Sequence, residues 1–255
     1  MSKTTISVGG ASGFWGESAM STAQLLGDAE LDYLVYDYLA EITMSILARA
    51  RAGDPAMGYA TDFITAVLAP NIEAIAAKGV RVLSNAGGVN PEACANAVRA
   101  LITEHGLDLK VAVVTGDDLT ARAAEFAEAG VTEMFSGAAF PPVERLASIN
   151  AYLGAFPIAE ALADGADIVI TGRVVDSAVT LAACIHAFGW SAEDYDCLAA
   201  GSVAGHILEC GPQATGGNFT DWEQVADSLH NIGYPIADID ASGDMVIRKP
   251  ADTGG

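Results

Sequence analysis

ISVGGASGFWGES, residues Ile6 to Ser18, decides how the rest of the chain is read. Its first half suits a buried strand, and its second half is a glycine turn that enters a helix. A glycine turn after a first strand often cradles a phosphate. For a dinucleotide the fingerprint is GxGxxG, followed about 20 positions on by an acid that holds the ribose. Asp37 stands where that acid is needed. Gly10, Gly13 and Gly16 fit less well: they are spaced GxxGxxG, and Phe14 and Trp15 stand where a pyrophosphate needs open backbone. The aromatic pair suits two roles, a wall for an apolar substrate beside Ser12 and Gly13, or plugs that pack the first helix on a sheet.

The same alternation of apolar run, polar or glycine turn and helix-period segment recurs in LDYLVYDYL, GVRVLSNAGG, LKVAVVTGDD and ADIVITGRVVD. It predicts parallel βαβ units. Helices are expected over Ser18–Leu26, Glu41–Ala52, Asp62–Lys78, Pro91–Glu104, Leu119–Ala129, Ala155–Asp164 and Ala178–Phe188, with Asn90 as N-cap before Pro91. Residues 192–210 read as one more helix, stopped by Gly211 and Pro212, and GYPIADIDASGDMVIRKP reads as a hairpin about Ser242 and Gly243. The expected fold is α/β, a mostly parallel sheet flanked by helices with a C-terminal hairpin-like β segment. An incomplete (β/α) barrel would show the same alternation. Residues 1–190 form the parallel α/β core, and 191–255 continue the same domain as helix, glycine-rich loop and hairpin. An end on ADTGG directly after a strand reads as a cut within a longer protein.

The chain has 255 residues, 51% of them apolar, enough to bury a sizeable core. Its apolar runs fall far short of the roughly 20 residues needed to span a bilayer, and no signal-peptide pattern opens it, so a cytoplasmic protein is expected. Twelve basic residues against 33 acidic ones give a formal charge of -21, which opposes nucleic acid and anionic membranes. Cys94, Cys184, Cys197 and Cys210 form no CxxC pair, so neither disulfides nor a zinc ribbon is expected.

In open parallel sheets ligands bind beyond the carboxyl ends of the strands. The residues there are polar at each strand: Ser12 and Gly13, then Asp37 and Glu41, then Asn85 and Asn90, then Asp117 and Asp118, then Arg173 and Asp176. Arg173 can hold a carboxylate or phosphate, or pair with Asp176 to hold the turn, while Asp176 caps the next helix. GHILECG puts His206, Glu209 and Cys210 on one helical face, where general acid/base use of His206 or Glu209 is favoured over a metal. QATGGNFTD offers amides at Gly216 and Gly217, flanked by Gln213 and Asn218, as an anion or carbonyl nest. No GxSxG elbow or HExxH helix is present.

GGASGFWGES, SNAGGVNPEAC, ITGRVVDSAVTLA and AAGSVAGHILECGPQATGGNFTDW, with the strings between them, resemble the acyclic terpene utilisation protein A family along essentially the whole chain. The resemblance implies a part in bacterial degradation of acyclic terpenes as coenzyme A thioesters, alongside an acyl-CoA carboxylase, and members that run on to a small ferredoxin-like domain. It carries over no catalytic residue and names no cofactor beyond coenzyme A as part of the substrate. The leading expectation is a hydratase or lyase acting on an acyl-CoA thioester. Asp37, Glu41, Asp117, His206 or Glu209 would move the proton. Ser12, Gly13, Trp15, Asn85, Asn90, Arg173, Asp176, Gln213, Gly216, Gly217 and Asn218 would bind substrate, and no metal is assigned. An NAD(P)-dependent oxidoreductase and a non-catalytic assembly subunit of a pathway carboxylase stand as alternatives. Association into homo-oligomers and contact with the carboxylase are further expectations.

Overall fold

Each apolar run between turn residues becomes a strand: β1 (Thr5–Ser12), β2 (Tyr33–Tyr36), β3 (Arg81–Ser84), β4 (Val111–Val114) and β5 (Ile168–Thr171). The computed structural model describes residues 3–17, 19–28 and 30–255. These five strands are parallel. β6 (Ile236–Asp240) runs antiparallel beside β1, and β7 (Met245–Arg248) pairs antiparallel with β6 through the Ser242–Gly243 turn. The order across the sheet is β4-β5-β3-β2-β1-β6-β7. Among the described residues β4 and β7 are edges, so the sheet is open and the barrel alternative falls.

The helices are α1 (Met20–Leu25), α2 (Glu41–Gly53), α3 (Ile72–Lys78), α4 (Pro91–Glu104), α5 (Ala123–Glu128), α6 (Phe156–Ala163), α7 (Ala178–Phe188) and α8 (Tyr195–Leu208). Ser18, the expected first residue of the first helix, lies outside the described residues. The helix expected over Asp62–Lys78 is broken. Pro70 has no N–H to return to the preceding turn, and the chain forms a π-helical turn over Phe63–Leu68 before α3 restarts after Asn71. The one expected over Leu119–Ala129 enters through a 3-10 turn, Thr120–Arg122. No helix among the described residues is long and apolar enough to cross a membrane.

Period-two alternation divides the strands between two cores. Leu34, Tyr36, Val82, Ile168 and Ile170 face one cluster, with α2 contributing Met44 and Leu47 and α4 contributing Val98 and Ile102. Ile6, Val8, Val35, Leu83 and Val169 face the other, against Ile158 and Leu162 of α6, Ala182 and Ile185 of α7, and Leu208 of α8. The chain steps from β1 to β2 to β3 across the first face and reaches the β4 edge through α4. It then returns through α6 to insert β5 between β3 and β4. Right-handed crossovers require this change of face. β3 and β5 are therefore neighbours whose following helices, α4 and α7, lie on opposite sides, and a crevice opens beyond their carboxyl ends.

Close backbone approaches build that edge. A Cβ on Gly87 would collide with the Thr171 carbonyl at the end of β5 and with Pro91. A Cβ on Gly10 would stand 2.5 Å from the Leu208 carbonyl oxygen, and one on Gly13 2.8 Å from that of Glu209. The glycines of the first loop thus seat the end of α8 against β1. Gly10→Ala should cost about 1–3 kcal/mol, because backbone must move on both sides. At Gly154, where a Cβ meets nothing within 4 Å, alanine should be neutral or stabilise by under about 1 kcal/mol. Urea unfolding of the two variants against the parent measures both, and equal stabilities would overturn the packing role.

Candidate active site

Three charged side chains are buried among the described residues, Asp37, Asp117 and Arg173, 3–4% exposed, and each lies just beyond the carboxyl end of its strand, β2, β4 and β5. Burying a charge is expensive unless it is paired and hydrogen-bonded, so their partners define the site. Asp117 Oδ2 accepts the Arg173 backbone N–H at 2.8 Å and Asn150 Nδ2 at 2.9 Å. Gly172 passes so close that a Cβ there would meet the Asp117 carboxylate at 2.5 Å. Asp117 is thus a fastener for two loops, not a free base.

Arg173 Nη1 donates to the Val174 carbonyl at 3.0 Å and to Asp176 Oδ1 at 2.6 Å. Its guanidinium lies 4.1 Å from the centroid of the Tyr152 ring, and Nη2 is 3.9 Å from Glu41 Oε1. Burial works against its charge, but Tyr152 and Asp176 outweigh that and raise its pKa. Tyr152 also donates its hydroxyl to Glu41. That bond first, and Arg173 last, hold the exposed Glu41 carboxylate below its usual range. Asp176 is not a helix cap: Ser177 occupies the N-cap position of α7, and the Asp176 carboxylate serves Arg173.

Asp37 accepts Asn85 Nδ2 and, at 3.3 Å, the Leu39 N–H, while Asn85 Oδ1 accepts the Tyr38 N–H at 2.7 Å. Burial pushes the Asp37 carboxyl up to about 7. The Asn85 hydrogen bond opposes this, and the nearby Asp176 and Glu209 add to it. One oxygen each of Asp37, Asp176 and Glu209 lie within 4.8 Å of one another, a donor set of hard oxygens suited to a cation such as Mg²⁺ or Ca²⁺. Glu209 reaches this cluster from the end of α8, where its Oε1 is 3.3 Å from His206 Nδ1 and 3.4 Å from Cys210 Sγ. Burial, then Glu209, pushes the Cys210 thiol up to about 11, so it is no thiolate nucleophile. His206 is 80% exposed at the rim.

Of the other residues singled out in the sequence, Ser12 and Gly13 border this cluster: the Ser12 carbonyl accepts the Asp37 backbone N–H at 3.2 Å, and Gly13 packs against the Glu209 carbonyl. Ser12 is buried and donates to the Phe14 carbonyl at 3.0 Å. The Gly13 N–H donates at 2.6 Å to the carboxylate of Glu17, whose pKa burial raises. An internal carboxylate thus takes an amide that a pyrophosphate would need, which weighs against the dinucleotide reading. Trp15 packs on the core and donates its indole N–H to Asp62. Asn90 occupies the N-cap position of α4, but its side chain holds the Pro55 and Met57 carbonyls at 3.0 and 2.8 Å. Gln213 lies on the 3-10 turn Gly211–Thr215, with Gly216, Gly217 and Asn218 in the loop that follows. The Gly217 N–H is already given to the Pro212 carbonyl at 2.8 Å. No hydrogen bond among the described residues ties these four to Arg173 or Asp37. Tyr152, Asn150 and Glu17 were not foreseen, since a loop aromatic, a loop amide and a carboxylate next to a glycine turn carry no spacing signal.

Residues 6–255 match the family model described as "Acyclic terpene utilisation family protein AtuA". No curated protein and no solved structure matches the chain.

The raised Asp37 pKa makes a stability prediction with a definite sign. Near and below pH 4 the carboxyl is protonated folded and unfolded. As pH rises toward 7 only the unfolded chain releases the proton, so stability falls across that window, by at most about 4 kcal/mol for a three-unit difference. Asp37→Asn keeps a carbonyl for Asn85 and Leu39 and cannot ionise. Relative to the parent it should gain stability between pH 4 and 7 and then level off. Denaturant midpoints at pH 4, 5.5, 7 and 8 test this; a gap that stays constant with pH would refute it.

Proposed function

Because the chain belongs to the acyclic terpene utilisation family AtuA, we propose that this site performs acid/base chemistry on an acyclic acyl chain carried as a coenzyme A thioester, as a hydratase or lyase does. Membership itself suggests a role in acyclic terpene utilisation; the reaction is our reading of the site. The observation that carries it is the joint burial of Asp37, beyond β2, and Arg173, beyond β5, linked through Asp176. A carboxyl that changes protonation near neutral pH, joined through Asp176 to a fixed guanidinium, suits chemistry next to a carbonyl.

In the elimination direction, the Asp37 carboxylate removes the proton from the carbon next to the thioester carbonyl. The C–H electron pair passes into the carbonyl, whose oxygen becomes an enolate facing the Arg173 guanidinium. As the enolate collapses, a new C=C bond forms and the β-hydroxyl leaves as water with the proton that Asp37 had taken, which returns Asp37 to its carboxylate. Hydration is the reverse. Tyr152 and Asp176 fix the guanidinium before substrate arrives, so little reorganisation is needed at the reacting oxygen. A second reading is favoured by the Asp37, Asp176 and Glu209 oxygens: with a divalent cation between them, that cation would polarise the carbonyl and Asp37 would serve as a ligand.

Asp37→Asn should lower turnover of geranyl-CoA, followed as loss of the enoyl-thioester absorbance, by about 10²–10⁴-fold while circular dichroism stays unchanged. Arg173→Lys, which loses the planar guanidinium that bonds Val174 and Asp176 and stacks on Tyr152, should also lower it. Unchanged turnover in Asp37→Asn would sink the acid/base assignment. A thermal shift with Mg²⁺ that vanishes in Glu209→Gln would move the assignment to the cation reading.

A further inference from the structure

The substrate reading above leaves open where the acyl chain lies, and the surface of α2 supplies a place. A 340 Å³ recess beside Arg173 is walled by Glu41, Met44 and Ser45 of α2 on one side and by Ala147, Ser148, Asn150 and Tyr152 on the other. It shares Ala147, Ser148 and Asn150 with a second recess of 330 Å³, where α2 presents Ala48, Arg51 and Ala52. The α2 residues fall at i, i+3, i+4, i+7, i+10 and i+11, which is one face of the helix. The two recesses form a single groove that follows the axis of α2 for about 16 Å, at a rise of 1.5 Å per residue.

Its wall is fixed in advance. The segment 147–152 is bound to the turn after β4 by Leu119 N–H to the Ile149 carbonyl at 2.8 Å and Ala151 N–H to the Asp117 carbonyl at 2.8 Å. Charge sits at the two ends. Arg173 faces Glu41 at 3.9 Å at one, and Arg51 faces Asp118 at 3.9 Å at the other. Between them the second recess is lined by Ala48, Ala52, Val89 and Ala147, with Thr120, Ser148 and Asn150 as its polar groups. A groove with a paired guanidinium at its mouth and small alanine and valine side chains along its middle suits a carbonyl head and a hydrocarbon tail.

We propose that this groove is the acyl-chain subsite, with the thioester carbonyl at Arg173 and the acyclic chain running along α2 past Ala147 toward Arg51; the inference rests on the acyl-thioester reading. Small side chains on both walls leave room for a methyl-branched chain, and the unbranched Met44 thioether adapts to its shape. Ala52 and Ala147 are both exposed, so bulk added there obstructs the groove without disturbing the core.

The test is calorimetric titration of butanoyl-, octanoyl- and dodecanoyl-CoA into the full chain and into Ala147→Trp and Ala52→Trp. In the parent, affinity should climb by up to about fourfold per methylene until the groove is filled. Ala147→Trp, at a residue that lines both recesses, should lose at least tenfold for octanoyl-CoA. Ala52→Trp, farther along, should lose dodecanoyl-CoA first. An affinity independent of chain length in the parent, or parent-like profiles in both variants, would overturn the subsite. If those profiles appear while Asp37→Asn still abolishes turnover, the chain lies elsewhere and the acid/base reading stands. If no acyl thioester binds the parent, both fall.

Discussion

The hydrogen bond from the Arg173 amide to the buried Asp117 carboxylate, 2.8 Å long, is the contact on which the site depends. β4 and β5 are neighbours in the sheet, but β4 reaches its place only through a crossover that skips a position. Nothing in the strand ladder dictates how their following loops meet. Asp117 supplies that constraint: it receives the Arg173 backbone and the Asn150 side chain on one oxygen. The guanidinium and the segment bearing Tyr152 are thereby placed by the same carboxylate. Removing it would leave two donors without an acceptor in a dry region, which costs more than the bonds themselves contribute.

The first glycine loop obeys a similar logic of close approach. Its sequence invites a phosphate, yet its geometry is spent internally. Gly10 and Gly13 are small because the end of α8 leans on them, and the Gly13 amide is satisfied by Glu17. This packing has a consequence at the site. The end of α8 carries Glu209, and its docking against β1 brings that carboxylate beside Asp37 and Asp176. A glycine motif that looks like a binding loop thus acts as a seat for a helix that delivers a functional group.

Much of this was legible in the residues. Period-two apolar runs gave the strands, because a sheet covered on both faces must alternate its side chains between two cores. The carboxyl-end rule gathered Ser12, Gly13, Asp37, Glu41, Asn85, Asn90, Asp117, Asp118, Arg173 and Asp176 as one set, since parallel strands bring their following turns to one edge. What was not legible depends on three-dimensional neighbours. Asp176 has the sequence position of a cap but bonds to Arg173, because a buried guanidinium outcompetes a helix N–H for a nearby carboxylate. Asn90 holds a loop distant in sequence. The break at Pro70 was visible as a proline but not as a π turn, which depends on where Ala69 finds its acceptor. Tyr152 could not have been found at all, since stacking on Arg173 depends on the strap between α5 and α6 rather than on any motif.

The site also stands against the general electrostatics of the chain. With 33 acidic and 12 basic residues, the protein sits in its own negative potential, which disfavours further ionisation of a buried acid and favours a buried cation. Arg173 is stabilised by that field, and Asp37 is penalised by it together with its dry surroundings. A sequence shaped only for stability would place a neutral residue at position 37, where Asn85 and the Leu39 amide would accept a side-chain carbonyl equally well. Carrying an ionisable group there costs stability at neutral pH, and such costs collect where a protein does its chemistry. Geometry and cost converge on the same residue: the most burdened carboxyl at the strand ends is the one that meets the Asp176 and Glu209 oxygens.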